Sequence, residues 1–369
     1  MSISALFLFL LILLVLVIVH EFGHFVVAKL TNMRVDEFAF GFPPKIYSKK
    51  KGETTYSINA LPLGGYVSIW GENGSESDND HGGVKNHPRA FANRPWWAQL
   101  LVLIAGVTMN MLLAWFIFVS ISYGKIQMSA EDETYGKQVT NPSLMVVDAA
   151  PDSPAYKAGI VPGSTLIEMK SVGTKSNLTT PESLISFVAS HQNDAIFISY
   201  KSPENIIKST VIAAVYGIIP DKKAIGISVE NVGTLETNPI QAIKIGTSRV
   251  YDMTILTVTG LKTLFTSAIN GESVIKSLSG PVGIAKIVGR TSSYGYQAIL
   301  TLVAVLSINL AIFNILPLPA LDGGRMVVVI IESIIRKKIP FKYYSWVNTL
   351  GFSLLMLLLI IVTIHDIRG

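Results

Sequence analysis

Ala5 to Ala28 reads ALFLFLLILLVLVIVHEFGHFVVA, and the run from Ala5 to Val19 is apolar without interruption. A helix of roughly 20 apolar residues is long enough to cross a hydrocarbon core. There is no positively charged tip ahead of the stretch and no small-residue cleavage pattern before its polar end. It therefore reads as a retained span rather than a signal peptide. Three ionisable residues, His20, Glu21 and His24, stand at its inner end. Ionisable groups in an otherwise apolar span are expensive and default to a functional reading. Helical positions i and i+4 share a face, so the two imidazoles can hold one metal ion, with Glu21 near its open coordination position.

Three further segments are apolar and long enough to span: 96–122, 297–316 and 346–364, beside the first at 5–28. The composition agrees. Of 369 residues 50% are apolar and only 15% charged, against about 25% charged in ordinary soluble domains. The mean hydropathy is +0.47. The net charge of +5 is modest, and no basic stripe interleaves with aromatics, so nucleic acid is excluded as a partner. Cysteine is absent, which removes disulfides, thiolate ligands and a thiol nucleophile.

Charge distribution sets an expected orientation. Lys29, Arg34, Lys45, Lys49, Lys50, Lys51, Arg89 and Arg94 lie between spans one and two; Arg325, Arg336, Lys337, Lys338 and Lys342 lie between spans three and four. The positive-inside bias places both loops in the cytoplasm. Both termini and the long segment between spans two and three then face outward. Trp96, Trp97, Tyr343, Tyr344 and Trp346 stand at span ends, where interfacial aromatics belong.

A catalytic zinc takes three protein ligands and keeps one position open. His81, His87, His191 and His365 are poorly placed for the third. Asp322 is better, in the stretch Asn314-Ile315-Leu316-Pro317-Leu318-Pro319-Ala320-Leu321-Asp322-Gly323-Gly324. That stretch follows span three on the side where span one ends. Pro317 and Pro319 break the helix and Gly323 and Gly324 permit a tight turn; irregular backbone at membrane depth is tolerated where it lines a cavity.

The two motifs together resemble the site-2 protease family of intramembrane zinc metalloproteases, of the bacterial regulator-of-sigma-E protease type. His20, Glu21 and His24 match its His-Glu-x-x-His. Asn314, Pro317, Pro319, Leu321, Asp322 and Gly323 match its Asn-x-x-Pro-x-Pro-x-Leu-Asp-Gly. Weaker matches are Leu63–Val67, Ala105-Gly106 with Asn110, and Gly280–Ile284. The resemblance implies one Zn2+ per chain held by His20, His24 and Asp322, with Glu21 activating water. It further implies that Asn314, with Pro317 and Pro319 beside it, meets the substrate. Single-span membrane proteins would be the substrates, and a bacterial inner membrane the location.

The expected fold class is a polytopic α-helical membrane protein with four transmembrane helices, a membrane-associated β-hairpin region and one extracytoplasmic PDZ domain. Short strands are expected at Glu37–Phe42, Lys45–Tyr47, Thr54–Asn59 and Tyr66–Ile69, within a β region over 35–70. In the family the matching sheet dips into the membrane, and a substrate strand could add to its edge. Gly71–Asn86 reads as a mobile loop. The segment Ala149–Ile167, with Ser153-Pro154-Ala155 and Ala158-Gly159-Ile160, resembles protease-associated PDZ domains; one such domain fits 143–231 and could take peptide termini or act as a size filter. Ser164 stands where many have Asp. Residues 239–268 read as an amphipathic linker helix on the outer membrane surface, and Arg325–Lys338 as a short helix with Glu332 on its polar face. The expected layout is thus an N-terminal membrane half over 1–122 and a C-terminal half over 280–369. Two other classes are a membrane binding module with a structural metal and a solute transporter. An Asp ligand disfavours the first, since structural zinc is usually enclosed by Cys and His. The lack of an inverted repeat disfavours the second.

Overall fold

The computed structural model describes residues 3–72, 87–150, 152–177, 180–219, 222–271 and 278–368. The Gly71–Asn86 loop falls outside them from residue 73 on, as does Pro151. The chain divides into two units, one formed by residues 1–120 with 245–369 and the other by 121–244.

The first unit begins with α1 (Ile3–Leu30). Nothing in its sequence opposes helix, and 28 residues rise about 42 Å. It is apolar all round, yet one stripe is buried: Ala5, Phe9, Ile12, Leu16, His20, Gly23, His24 and Ala28. Steps of three and four keep these on one face. The inner end of that face meets α2 (Trp96–Ile121). A Cβ on Gly23 would lie 2.4 Å from the Ala105 carbonyl oxygen, so glycine is what lets the two backbones approach here. α7 (Tyr296–Ile315) closes the group with the small buried residues Ala304, Ser307 and Ala311. The Ser307 hydroxyl donates to the Asn110 carbonyl of α2 at 2.8 Å.

Between α1 and α2 lie two long strands, β1 (Val35–Lys51) and β2 (Thr54–Ile69). Each bends midway, β1 at Pro43-Pro44 and β2 between Asn59 and Gly65. Phe38 consequently pairs with both Val67 and Tyr56, and Phe40 with both Gly65 and Ile58. The four segments lie in the order 45–51, 54–59, 35–42, 65–69. The expected four short strands are therefore recovered as halves of two bent ones. Residues 65–69 form one edge. Glu53, at the turn between β1 and β2, pairs with Lys29 at the end of α1 (2.6 Å) and with Arg89 (2.7 Å). The two cations hold its carboxyl down at about 2.

In the second unit, Ile227–Thr237 (β11) lies second from one edge of a seven-stranded sheet. The order is β3 (Gly124–Ser129), β11, β4 (Thr140–Ala149), β5 (Thr165–Ser171), β7 (Ile196–Lys201) and β8 (Ile207–Ile212), with β6 (Thr174–Asn177) on β5. Leu144 and Val146 from β4, Met169 from β5 and Ile196 and Ile198 from β7 alternate inward. They pack under Leu184, Phe187 and Val188 of α4 (Pro181–Ser190). Ser153 caps the short α3 (Pro154–Lys157), and Thr180 caps α4 with a reciprocal bond from Ser183. β9 (Val215–Ile219) and β10 (Lys222–Ala224) form a separate hairpin. The sheet extends past the expected 143–231 bounds at both ends, to β3 and to Thr237.

α5 (Pro239–Ile269) covers the expected 239–268. It does not stay at one end of the spans. Gly246 touches the Val119 backbone and Thr247 accepts from Trp115 of α2 at 3.0 Å, while Thr257 bonds Asn309 of α7 at 2.8 Å. A surface-lying helix is therefore replaced by one packed along two spans; Gly and Thr allow the close approach. α6 (Pro281–Thr291) was not expected. Pro281, Gly283 and Gly289 mask it as a loop, and Asp366 holds it by accepting from the Gly283 amide at 2.7 Å. α8 (Asp322–Ile335) and α9 (Phe341–Arg368) complete the unit. α8 starts at the acid, so the expected 325–338 helix lies three residues earlier.

Four of these helices, α1, α2, α7 and residues 342–368 of α9, are long and apolar enough to cross a membrane. If the α1–α2 approach holds the bundle together, Gly23→Val forces the helices apart at a cost of about 1–3 kcal/mol. Thermal unfolding in detergent is expected to shift down by several degrees, whereas Phe22→Ala, at a side chain that is 45% exposed, leaves it nearly unchanged.

Candidate metal centre

α1 delivers His20 and His24 to the face against α2, and α8 delivers Asp322 at its first residue. His20 Nε2 lies 3.0 Å from Asp322 Oδ2, His24 Nε2 3.3 Å from the same oxygen, and the two Nε2 atoms 3.1 Å from each other. Donors at about 2.0–2.1 Å from a tetrahedral ion stand roughly 3.3 Å apart. The spacing therefore fits zinc with little rearrangement. Both rings are buried, at 6% and 7% exposed. Among the described residues this is the one cluster of three such donors.

The helix opposite is shaped to admit the rings. A Cβ on Gly106 would lie 2.4 Å from His24 Nε2 and 2.7 Å from His20 Cε1. Any larger residue would displace the imidazoles. His24 Nδ1 donates to the Val102 carbonyl at 2.8 Å, which fixes the proton on Nδ1 and leaves the Nε2 lone pair facing the cluster. His20 Nδ1 lies 3.4 Å from Asn110 Nδ2, while the buried Asn110 Oδ1 has no partner. Rotating that amide presents Oδ1 to a His20 Nδ1–H. This satisfies the orphan and frees His20 Nε2 for an ion.

The turn before Asp322 is held tightly. Ala320 takes φ +70°, and its amide donates to Asn348 of α9 at 2.8 Å. A Cβ on Gly323 would meet the Leu316 and Ile315 carbonyls at 2.2 and 2.3 Å, and one on Gly351 would meet Pro319 at 2.3 Å. Burial alone would raise the Asp322 carboxyl, but the two histidines outweigh it and hold the group well below the usual carboxylate range.

Glu21 stands outside the trio. Its Oε2 accepts from the Val67 amide on the 65–69 edge at 3.0 Å. Asn314 Nδ2 is 3.4 Å from His20 Nε2, so Asn314 borders the cluster. Pro317 is exposed. Pro319 packs on Gly351. Two residues have a part here that the sequence did not assign to them. Arg325, one turn beyond Asp322, donates to the Glu72 carbonyl, lies 3.7 Å from the Glu72 carboxylate and stacks over Phe91 and Tyr344. It ties the helix of Asp322 to the end of the sheet. Burial pushes the Glu72 carboxyl up despite that cation. The Leu-Asp-Gly-Gly-Arg run held Arg325 in view, but Glu72 had no pattern to mark it.

Two intramembrane-type histidines and an aspartate on a four-span bundle define a membrane metalloprotease, and comparison with known proteins agrees. Residues 8–358 match the model of Peptidase family M50. A Clostridium acetobutylicum protein named "Putative zinc metalloprotease" is 34% identical over 355 residues, 95% of this chain and 93% of that one. "Zinc metalloprotease RasP" of Geobacillus kaustophilus is 28% identical over 95% of this chain and 94% of that one. The chain belongs to peptidase family M50, the site-2 proteases. It is a multi-pass membrane zinc metalloprotease.

Zinc content separates shape from charge at this centre. Asn110→Leu keeps the volume but removes the amide behind His20. It is expected to weaken zinc binding 10- to 100-fold with unfolding unchanged within a few degrees, read by chelator competition against the wild type.

Proposed function

We propose that the chain cuts transmembrane segments of single-span membrane proteins, the step that releases a signalling domain in regulated intramembrane proteolysis. His20, His24 and Asp322 are the zinc ligands in this reading, Glu21 is the general base, and Asn314 faces the substrate. Pro317 and Pro319 shape that wall, and the contact of Pro319 with Gly351 favours a supporting part for it.

The observation that carries the reading is the hydrogen bond from Val67 to Glu21. A helix hides its peptide groups in its own hydrogen bonds, so a spanning substrate must be unwound before hydrolysis. The edge 65–69 offers extended backbone immediately beside the catalytic carboxylate. A substrate strand added there exchanges its helical bonds for strand bonds and brings a peptide carbonyl to the cluster. An ion held by His20, His24 and Asp322 would supply polarisation of that carbonyl and a water acidic enough to attack near neutral pH. Glu21 takes the proton from the attacking water and passes it to the leaving amine as the C–N bond breaks. Asn314, whose Nδ2 lies 3.4 Å from His20 Nε2, would donate to the developing oxygen charge.

The basic loops 29–94 and 325–342 favour the cytoplasmic side for the ends of α1 and α7, hence for the active site. Unit 121–244 is then extracytoplasmic, in a bacterial inner membrane. Its Ser153 and Thr180 caps, with the Ser-Pro-Ala and Ala-Gly-Ile runs, support a PDZ domain over 143–231 that selects partners by their termini or by size. Helix α5, over the expected 239–268, links it to the C-terminal half, 280–369.

Cleavage of a single-span substrate by purified protein tests this. Glu21→Gln is expected to lose roughly 10²- to 10⁴-fold in rate while zinc content stays at one per chain. Equal rates would remove Glu21 from the chemistry. Faster cleavage of an unfolded soluble protein than of the spanning substrate would instead count against intramembrane proteolysis.

A further inference from the structure

Away from the metal centre, the residues just before α2 and just after α8 meet around one cavity of about 340 Å³. Its wall includes Arg94, Trp96, Glu332, Arg336, Lys337 and Lys338. Four cations face one carboxylate, and that carboxylate is engaged: Glu332 accepts from Lys338 Nζ and from the Ile339 amide, each at 2.9 Å. Among the described residues, Arg94, Arg336 and Lys337 form no ion pair. Arg94 Nε is buried without a hydrogen-bond partner. The Arg94 carbonyl accepts from Gln99, itself 3% exposed, at 2.7 Å, and its Nη1 donates to the Pro88 carbonyl at 3.3 Å, which together hold backbone and guanidinium at the cavity wall. Arg336 ends α8 in the left-handed region at φ +57°, which turns the basic run back toward Arg94. The first amides of α2 add partial positive charge nearby.

We infer that this cavity binds the phosphodiester headgroup of an anionic phospholipid. The ligand class follows from place as well as charge. Trp96 is the first residue of a membrane-crossing helix and is 54% exposed, as an interfacial indole should be. Val329, 4% exposed, gives the cavity an apolar floor. The volume lies at the lower end of the roughly 300–1,000 Å³ that takes organic ligands, more than a bare phosphate fills. Basic pockets between membrane helices hold such headgroups. Charges that serve only to orient a chain need to sit in the loop. They have no reason to converge from two loops far apart in sequence around one cavity. The bound headgroup bridges α2, which carries Gly106 and Asn110, to α8, which carries Asp322.

The test is native mass spectrometry of the delipidated full chain, titrated with phosphatidylglycerol or phosphatidylcholine of matched acyl chains. Phosphatidylglycerol is expected to bind at least tenfold more tightly. The triple variant Arg94→Gln, Arg336→Gln, Lys337→Gln should weaken it tenfold or more, each nearby cation being worth roughly fivefold. The control Lys49→Gln, Lys50→Gln, Lys51→Gln, at the exposed end of β1, should leave it unchanged. Equal retention of the two lipids, or equal loss in the two triple variants, overturns the inference. Displacement of the lipid by millimolar inorganic phosphate overturns it too, in favour of a free-anion site. Should the triple variant not fold, the exposed single change Lys337→Gln still costs roughly fivefold, and no change in that variant overturns the site.

Discussion

A polar atom buried among apolar helices has no water to turn to, and each one left unpaired costs several kcal/mol. That constraint governs the membrane unit of this chain. His20 and His24 can sit in the first span only because α2 approaches closely enough to partner them, and the approach depends on two glycines. Gly23 brings the α1 backbone against Ala105, and Gly106 leaves the room that the two rings occupy. Val102 and Asn110 then supply the atoms behind the rings. With a side chain at either glycine, α1 and α2 separate and the histidines lose their partners along with their geometry.

The acid obeys the same rule from the other direction. Asp322 needs polar partners, and it reaches the two imidazoles because the chain leaves helical geometry between Leu316 and Leu321 and starts α8 at the acid itself. The glycines after it let the turn fold back over the helix start. Arg325 then anchors that helix through Glu72, Phe91 and Tyr344. A guanidinium serves here where an ammonium would not, since it can stack on two rings and hydrogen-bond in one plane.

The spans and the metal cluster were legible because each leaves a pattern: unbroken apolar runs for the first, and polar residues at helical spacing within one such run for the second. Asp322 was legible from its place at the same end of the bundle. What stayed hidden lay in the backbone. Nothing in Val102 or Val67 as residue types announces a carbonyl behind His24 or an amide on Glu21; both arise from where helix and strand happen to run. α6 hid for another reason. Its eleven residues carry a proline and two glycines, which read as a loop, and its hold on Asp366 joins positions over 80 apart. The bends in β1 and β2 were half legible: proline and glycine marked the breaks, but not that the halves would interleave. α5 misled through its Lys and Thr residues, which read as a polar face for water. Thr247 and Thr257 instead bond Trp115 and Asn309 within the bundle.

The placement of irregular backbone explains why a helical bundle carries a sheet at all. Helices supply position but keep their own amides and carbonyls occupied, so they offer an extended substrate nothing to pair with. A sheet edge has free groups by construction. Left open to lipid, such an edge would be as costly as any unpaired polar atom. Here the edge at 65–69 gives one amide to Glu21, and the carboxylate thereby both satisfies that edge and is aimed by it. In the proposed function, base and substrate strand are therefore tied by one hydrogen bond: a substrate that pairs with the edge competes for the group that orients Glu21, so docking and the disposition of Glu21 are not independent events.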